Sequence, residues 1–256
     1  MEDKSNARDQ VGSLGRGLGV MEILARHQAG MTLTEMAEEA GLTRAGARRL
    51  LLTLVATGYA TQSGRLFSLS PRLLTIARTS LGGASLWTFA TPIMRDMAAQ
   101  FDEACNAAVL SGEDVVYVVR VPGRRILSVA LDVGTMLPAY CTSMGRVLLS
   151  GLATDELKNF LAEAKIERRT PKTITRRAAL GKAIDKARAD GFAIADEELE
   201  LGLRSIAVPI RDRADRIVAA INVSTQSARF SVEAMERDIL PVLRKAKQRI
   251  EEYFFT

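Results

Sequence analysis

The first third of the chain alternates short helical patterns with glycine stops. Apolar residues at helical spacing predict three helices, over residues 13–28, 32–40 and 44–56, and a glycine follows each one. Two short runs, residues 59–62 and 65–69, flank the turn at Ser63-Gly64 and predict a β-hairpin. A further helix is predicted to begin at Pro71 and to end near Gly82-Gly83, and this glycine pair is the best candidate for a hinge.

The remainder of the chain shows strands joined by tight turns. Strands are predicted over residues 107–110, 115–121, 126–131, 192–195, 206–211 and 216–224. Helices are predicted over residues 86–100, 142–151, 154–164, 177–190 and 232–253. Because strands joined by tight turns form antiparallel sheets, this pattern favours an α+β domain. The predicted organisation is a first domain over residues 1–70, a linker helix over 71–85 and a second domain over 86–256.

The composition is that of a globular protein and excludes several classes of function. The chain has 256 residues, 47% hydrophobic and 25% charged, with no apolar run long enough to cross a membrane. The first ten residues are polar and lead into no secretory segment, so we expect a cytoplasmic protein. Two cysteines make no disulfide framework, and the single histidine excludes most metal sites and Ser–His–Asp chemistry. We therefore expect no catalytic site, no metal and no cofactor.

Positive charge is concentrated in the N-terminal third. From Ala40 to Arg95 the chain has no Asp, Glu or Lys but has seven arginines, within a net charge of +5. A basic segment joined to a near-neutral remainder suggests that an anionic polymer binds the first part. A solvated arginine-rich surface explains the charge alone equally well.

The segment LTEMAEEAGLTRAGARRLLLTL predicts a DNA-binding helix-turn-helix. Ala37 is small enough for two helices to touch, and Gly41 suits the positive φ of the turn between them. The second helix has an apolar back, and its first turns present Arg44, Arg48 and Arg49 outward, toward a major groove. The hairpin that follows adds a wing with Arg65 at its tip. An ordinary helical hairpin is the alternative, but the wing and the acid-free run favour DNA.

Two groups of segments carry a resemblance to a known family. The N-terminal group comprises SLGRGLGVMEILA, LTEMAEEAGLTRAGARRLLLTLVATGYA and GRLFSLSPRLL, and the C-terminal group comprises DVVYVVRV, LPAYCTSMGRVLL, DEELELGLRSIAVPIRD and IVAAINVST. Together they resemble the IclR family of bacterial transcription regulators over nearly the whole chain. LPAYCTSMGRVLL and ELGLRSIAVPIRD resemble its PcaR, PcaU and PobR branch, which controls aromatic-acid catabolism. The resemblance implies a winged helix-turn-helix, a linker helix and a GAF-like effector domain.

The resemblance also implies roles for the N-terminal residues. Positions 44, 45, 48 and 49 match the family's recognition helix, position 16 a phosphate contact and position 65 the wing. The implied DNA contacts, with the helix cap at position 43, are Arg16, Thr43, Arg44, Ala45, Arg48, Arg49 and Arg65. The linker helix pairs subunits in the family, so the implied assembly is a homodimer or tetramer on an inverted-repeat operator of double-stranded DNA. Gly46 departs from the family's usual Thr, Ser or Ala.

The second domain contains candidates for an anion site. A helix is predicted to begin at Cys141-Thr142-Ser143, and the amides of Ser143 and Met144 at its start suit a carboxylate. A simple capped helix is the alternative. Asn222 and Ser224 share one face of an apolar strand, where they need polar partners. Arg204-Ser205 opens another strand; for Arg204 an ion pair with an acidic residue of the DEELE run is the structural alternative.

The resemblance implies an effector cavity built from these segments. The implied set, with neighbouring residues of the same motifs, is Tyr140, Cys141, Thr142, Ser143, Met144, Asp196, Leu203, Arg204, Ser205, Asn222 and Ser224. The segment Glu103-Ala104-Cys105-Asn106 departs from the family's usual Glu-Ser-Cys-Ser at one wall of the cavity. We otherwise expect the run from Asp196 to Glu200 to be a solvated surface.

The function that the sequence supports is that of a regulator which binds DNA and responds to a small carboxylate, with aromatic acids among the candidates. The implied pathway is protocatechuate or 4-hydroxybenzoate catabolism, the β-ketoadipate pathway. A repressor that responds to another small carboxylate, an architectural DNA-binding protein without a ligand, and an enzyme fused to a DNA-binding module are the alternatives. No GxxxxGK or GxSxG motif supports the enzyme, and the only candidate base for Cys141, His27, lies in the winged-helix region.

Overall fold

A computed structural model describes residues 11–27, 29–80, 85–123 and 132–255. The chain divides into two compact units, Met1–Gly83 and Ala84–Thr256, and the division falls within the predicted linker segment. The candidate hinge at Gly82-Gly83 and the strand predicted over residues 126–131 lie outside the described residues. Among the described helices, none combines the length and apolarity that spanning a bilayer requires.

The first unit contains four helices and a small antiparallel sheet. Its elements are α1 (Gly12–Arg26), β1 (Met31–Thr32), α2 (Leu33–Glu39), α3 (Arg44–Ala56), β2 (Ala60–Ser63), β3 (Leu66–Leu69) and α4 (Arg72–Ser80). The strands follow the order β1-β3-β2. The two-residue strand β1 is absent from the sequence prediction because so short a run has no measurable alternation.

Side-chain caps and one glycine fix the angle between α2 and α3. Thr32 and Glu35 form a capping box at the start of α2, and the Thr43 hydroxyl accepts a hydrogen bond at the start of α3. Gly41 has a φ of +61° in the turn between them, as the sequence predicts. The buried faces of α1, α2 and α3 then pack together around side chains such as Leu24, Met36 and Leu51.

The described residues of the second unit form a six-stranded antiparallel sheet with helices on both faces. Its helices are α5 (Ser85–Phe101), α6 (Ser143–Leu149), α7 (Thr154–Glu163), α8 (Arg177–Asp190), α9 (Val232–Ala234) and α10 (Leu240–Phe255). Its strands are β4 (Ala104–Ser111), β5 (Asp114–Val121), β6 (Met136–Pro138), β7 (Ala193–Asp196), β8 (Leu203–Arg211) and β9 (Ile217–Gln226). They follow the order β6-β5-β4-β9-β8-β7.

Two apolar layers hold this sheet between its helices. Side chains from α5 and α10 pack on one face, with Ile206, Ile221 and Val223 of the central strands. Side chains from α6, α7 and α8 pack on the other face, which we call the α6 face, together with Ala207 and Ala220. The one-residue alternation along each strand therefore decides which helical layer a side chain meets.

The closing helix differs from the uninterrupted helix predicted over residues 232–253. A π-helical segment, Met235–Ile239, separates α9 from α10. Pro241 is the second residue of α10, and its missing N–H removes one hydrogen bond of a regular helix. The wider π turn is one way in which a helix accommodates such an interruption.

Candidate functional site

The outer surface of α3 is basic and unpaired. Its inward residues Ala47, Leu51 and Leu54 are buried in the core of the first unit. The outward residues predicted to meet DNA are all exposed: Arg44, Ala45, Arg48 and Arg49. The guanidinium groups of the three arginines form no ion pair with any residue that the structure describes. These charges are therefore available to phosphates and base edges.

Gly46 lies in the first turn of α3, where its amide takes part in the helix cap. The Gly46 amide donates a hydrogen bond to the Thr43 hydroxyl at 3.1 Å, which caps the helix. A Cβ atom at Gly46 would lie 3.2 Å from that hydroxyl oxygen. The cap does not require this glycine, since Glu35 occupies the same position behind the Thr32 cap of α2, and a glycine costs about 1 kcal/mol of helix propensity.

The remaining candidate DNA contacts lie on the wing and on α1. Ser63 pairs with Leu66 across the hairpin, so Gly64 and Arg65 form a two-residue turn, and Gly64 has a φ of +59°. Arg65 is exposed at this tip, as the sequence predicts. Arg16 is also exposed, and its Nε donates to the Gly12 carbonyl of the same helix at 3.2 Å.

The start of α6 is the centre of the second candidate site. The Thr142 hydroxyl accepts a hydrogen bond from the Gly145 amide at 3.1 Å, and the Thr142 carbonyl accepts one from the Arg146 amide. The amides of Ser143 and Met144 have no hydrogen-bond partner among the described residues. The simple capped helix, which the sequence also allows, is therefore present. Its cap leaves the Ser143 and Met144 amides free to donate to an acceptor.

Four polar side chains of the predicted site meet on the α6 face. The Ser143 hydroxyl donates to the Ser205 hydroxyl at 2.8 Å, which links α6 to β8. The Asn222 amide nitrogen donates to the Ser224 hydroxyl at 3.1 Å along β9. Ser205 and Ser224 are direct cross-strand neighbours, so the two hydrogen-bonded pairs form one polar cluster in an apolar layer.

Apolar and weakly polar side chains flank this cluster. Met144 and Cys141 are fully buried, and burial raises the pKa of the Cys141 thiol to about 11. The Tyr140 hydroxyl donates to the Glu167 carbonyl at 2.9 Å, and burial raises its pKa as well. Leu203 lies two residues before Ser205 on the same face of β8. A thiol that stays protonated at neutral pH is a poor nucleophile.

Arg204 and Asp196 lie on the opposite face of the sheet from this cluster. They are direct partners across β7 and β8, and Arg204 Nε donates to the Asp196 carboxylate at 2.6 Å. Arg204 also donates to the backbone carbonyls of Ser227 and Phe230. The structure therefore brings this arginine into the ion pair of the alternative interpretation and does not bring it to the cluster.

The acidic run from Asp196 to Glu200 is not the solvated surface that the sequence suggests. Glu198 is buried and forms an ion pair with Arg146 of α6, which is buried too. Lys172 pairs with Asp196 at 3.0 Å and with Glu197 at 3.4 Å. The expectation is wrong because the acidic residues face cations that come from distant parts of the sequence.

Arg120, which no sequence pattern singles out, lies on the same face of the sheet as the cluster. Arg120 of β5 is the direct cross-strand partner of Asn106 of β4. The register shifts beside them, since Ala107 pairs with Val119 while Ala108 pairs with Tyr117. This bulge at Val118 turns Arg120 to the face that strict alternation from Tyr117 denies it. The departure at position 106 was the only sequence signal for this corner.

Comparison with known proteins identifies the family. The model of the IclR helix-turn-helix domain matches residues 13–64, and the model of the bacterial transcriptional regulator IclR C-terminal domain matches residues 78–252. The chain belongs to the IclR family. It is therefore a transcriptional regulator with a helix-turn-helix for DNA and an effector-binding domain, and the predicted fold is confirmed.

Relatives and solved structures agree with this assignment. The Pca regulon regulatory protein of Pseudomonas putida is 39% identical over 248 residues, covering 96% of this chain and 85% of the relative. A transcriptional regulator, RHA06195, from Rhodococcus sp. RHA1 is 45% identical, with a TM-score of 0.79 and coverage of 96% and 98%. A double mutant of the PobR inducer-binding domain from Acinetobacter, complexed with 3-hydroxybenzoic acid, is 29% identical, with a TM-score of 0.61 and coverage of 66% and 98%.

Proposed function

We propose that this IclR-family regulator controls genes of aromatic-acid catabolism and responds to a small aromatic carboxylate. Its 39% identity to a Pca regulon regulatory protein supports the pathway. The PobR inducer-binding domain, which is similar to the second unit, is solved with a hydroxybenzoic acid. An IclR-type regulator of another small carboxylate is the alternative that a ligand screen decides.

The observation that carries the proposal is the polar cluster of the α6 face. Hydroxyl and amide groups of Ser143, Ser205, Asn222 and Ser224 lie buried between apolar residues, beside two unpartnered amides at the start of α6. Sites for small ligands combine apolar walls with a few converging polar groups in this way. We propose that the carboxylate accepts from the Ser143 and Met144 amides while Met144 and Tyr140 border the ring.

The proposed effector binds without being converted. The described residues contain no group of three or more His, Cys, Asp or Glu side chains placed to hold a metal. Burial keeps the Cys141 thiol protonated, and the cluster contains no side chain that serves as a general base near pH 7. The effector then acts only if the DNA-competent and DNA-incompetent states bind it with different affinities.

Because bacterial chromosomal DNA lies in the cytoplasm, we propose that the protein acts there.

A thermal-shift screen with full-length protein tests this proposal. We expect hydroxybenzoates, protocatechuate or β-ketoadipate to raise the melting temperature, as ligands of the native state do. No shift with any of these acids would contradict the proposed ligand class and would favour an architectural DNA-binding protein.

A double substitution tests the location of the site. Ser205→Leu with Asn222→Leu should abolish the melting-temperature shift and the effect of the acid on DNA binding, while operator binding without the acid persists. Lys158→Leu is the matched control, because it adds a leucine at an exposed position of α7. A double variant that still binds the acid with unchanged affinity would place the site elsewhere.

A further inference from the structure

Among the described residues, three buried side-chain atoms of the second unit have no hydrogen-bond partner, and two of them, Nη1 of Arg120 and Oδ1 of Asn106, belong to paired residues of neighbouring strands. Asn106 is only 1% exposed, so water has little access to its side chain. Buried donors and acceptors are almost always satisfied in folded proteins, and an orphaned one indicates strain, a functional role or a ligand. The donor and the acceptor belong to cross-strand partners but are not bonded to each other, so a ligand that carries an acceptor and a donor would satisfy both.

The two side chains are neighbours on the α6 face. Asn106 and Arg120 lie directly opposite each other on β4 and β5. The other amide atom of Asn106, Nδ2, donates to the Asn222 side-chain oxygen at 3.0 Å, which joins this corner to the polar cluster. The Asn106 side chain is therefore held in place, with its carbonyl oxygen left over.

Arg120 is a cation without a counter-charge. Among the residues that the structure describes, no carboxylate lies within ion-pair distance of its guanidinium. Its cross-strand partner on β4 is Asn106, and its diagonal neighbours there are Ala104 and Ala108. The other buried arginine with an orphaned nitrogen, Arg146, differs in this respect because it is paired with Glu198.

We propose that Arg120 binds the carboxylate of the effector and that Asn106 accepts a hydrogen bond from a hydroxyl group of the same ligand. The effector class is then a hydroxylated carboxylic acid. This inference rests on the proposed function and deepens it, since the α6 amides supply only partial charges whereas Arg120 supplies a full one.

The chemistry of Asn106 Oδ1 and Arg120 Nη1 determines which ligands the site prefers. A carboxylate oxygen cannot satisfy Asn106 Oδ1, because both are acceptors, so a ligand without a hydroxyl leaves this oxygen orphaned. A ligand without a negative charge likewise leaves Arg120 unneutralised in a partly buried site. Removing either group from the ligand should therefore weaken binding to the same degree as removing its protein partner.

Titration calorimetry of the full-length protein with paired ligands tests the inference. The probes are 3-hydroxybenzoate and protocatechuate, with benzoate lacking the hydroxyl and 3-hydroxybenzamide lacking the charge. We expect Arg120→Met to lose about a hundredfold in affinity for 3-hydroxybenzoate but little for 3-hydroxybenzamide, and Arg120→Lys to recover part of the loss. Arg216→Met is the control, because Arg216 is an exposed arginine paired with Asp212.

Asn106→Leu is the second arm of the experiment. We expect affinity for 3-hydroxybenzoate to fall about tenfold to a hundredfold and affinity for benzoate to stay constant, so that the variant no longer distinguishes the two acids. Retained operator binding and a cooperative melting transition show that each variant is folded.

Three outcomes would overturn the inference. If the wild type binds the hydroxylated acids and both variants bind them as tightly, Arg120 and Asn106 are not contacts, while the proposed function stands. If Asn106→Leu weakens benzoate and 3-hydroxybenzoate equally, the residue does not recognise the hydroxyl. If the wild type binds none of the acids, the proposed function fails and the inference fails with it.

Discussion

Buried charged side chains of the second unit differ in how completely they are paired. Glu103 accepts hydrogen bonds from Thr225 and Arg229, each at 2.6 Å, and Glu198 pairs with Arg146. Such groups are stable in the interior because a partner neutralises each charge. Arg120 is half-buried and differs from them, since no described carboxylate lies within ion-pair distance of its guanidinium. We therefore infer that the paired charges stabilise the fold, whereas the unpaired charge of Arg120 is available to a ligand.

The buried thiol of Cys105 makes the free energy of unfolding decrease with rising pH in the alkaline range. Burial raises its pKa to about 12, whereas an unfolded thiol ionises near pH 8.5. Below that pH both states are protonated and the thiol contributes nothing to the pH dependence. Above it the unfolded state loses its proton first, so stability falls as pH rises toward the folded pKa.

Cys105→Ala isolates this effect. Urea unfolding from pH 7 to 10.5 should show the wild type losing about 1.4 kcal/mol more per pH unit than the variant above pH 9. The variant's smaller side chain adds an offset that does not change with pH. Parallel pH profiles for the two proteins would contradict the assigned burial.

At the scale of elements, the sequence predicts those helices and turns whose determining residues lie close together along the chain. The helices of the first unit follow from caps at Thr32 and Thr43 and from Gly41, all of which act within four residues. The bulge at Val118 depends on how β4 pairs with β5, so no period along β5 alone reveals that Arg120 meets Asn106. The same limit applies to Glu198, whose partner Arg146 comes from another element.

Likewise, the sequence predicts the cluster of the α6 face only in part. Ser143, Ser205, Asn222 and Ser224 come from segments that alternate regularly, and the structure places all four on one face. Asp196 and Arg204 come from the same motifs but point to the other side, because each lies one residue along its strand from a residue of the α6 face.

Gly145 fixes the packing of α6 against the chain before it. A Cβ atom there would overlap the backbone of Ala139, in the short helical turn that precedes Thr142. We expect Gly145→Ala to lower the free energy of unfolding by about 1–3 kcal/mol through overpacking, and to abolish the ligand response by displacing Ser143.

Gly181→Ala is the matched control for that substitution. Gly181 lies in the middle of α8, where a Cβ would meet only the Leu161 side chain at 3.4 Å. Alanine should be neutral there or stabilise the helix by up to about 1 kcal/mol. Urea unfolding measures the free energy of unfolding of both variants. Equal changes in the two would show that the contact between Gly145 and Ala139 does not constrain the packing of α6.

The recognition helix and the wing should contribute differently to operator binding. We expect Arg48→Ala and Arg49→Ala each to cost about 1–3 kcal/mol per half-site and to relax sequence preference if the arginine reads a base. Arg65→Ala should weaken binding to all sequences and reduce the salt slope by about one.

Fluorescence anisotropy over a salt series, with operator and unrelated DNA, separates these two effects. Arg216→Ala in the second unit is the control for loss of one exposed arginine. Unchanged operator affinity in all three variants of the first unit would refute the assignment of α3 and the wing as the DNA surface.

For the whole molecule, one helix-turn-helix reads too few base pairs for a specific operator, so two copies must act together. The first unit exposes apolar side chains on two helices: Val11, Leu14 and Leu18 at the start of and along α1, and Leu74 and Ile76 on α4. Leu14 and Leu18 are four residues apart and 62% and 51% exposed, so they share one side of α1. Large apolar residues grouped in this way are typical of a protein interface.

We therefore expect a dimer that forms through these helices and binds an inverted repeat. Burying each leucine contributes about 1.5–3 kcal/mol, and a twofold axis counts each one twice. Leu14→Glu with Leu18→Glu thus removes a stabilisation comparable with the roughly 8 kcal/mol that holds a micromolar dimer together. Sedimentation in the absence of DNA should show the double variant as a monomer. Leu201→Glu, at an exposed leucine of the second unit, should remain dimeric, and a double variant that also stays dimeric would place the interface elsewhere.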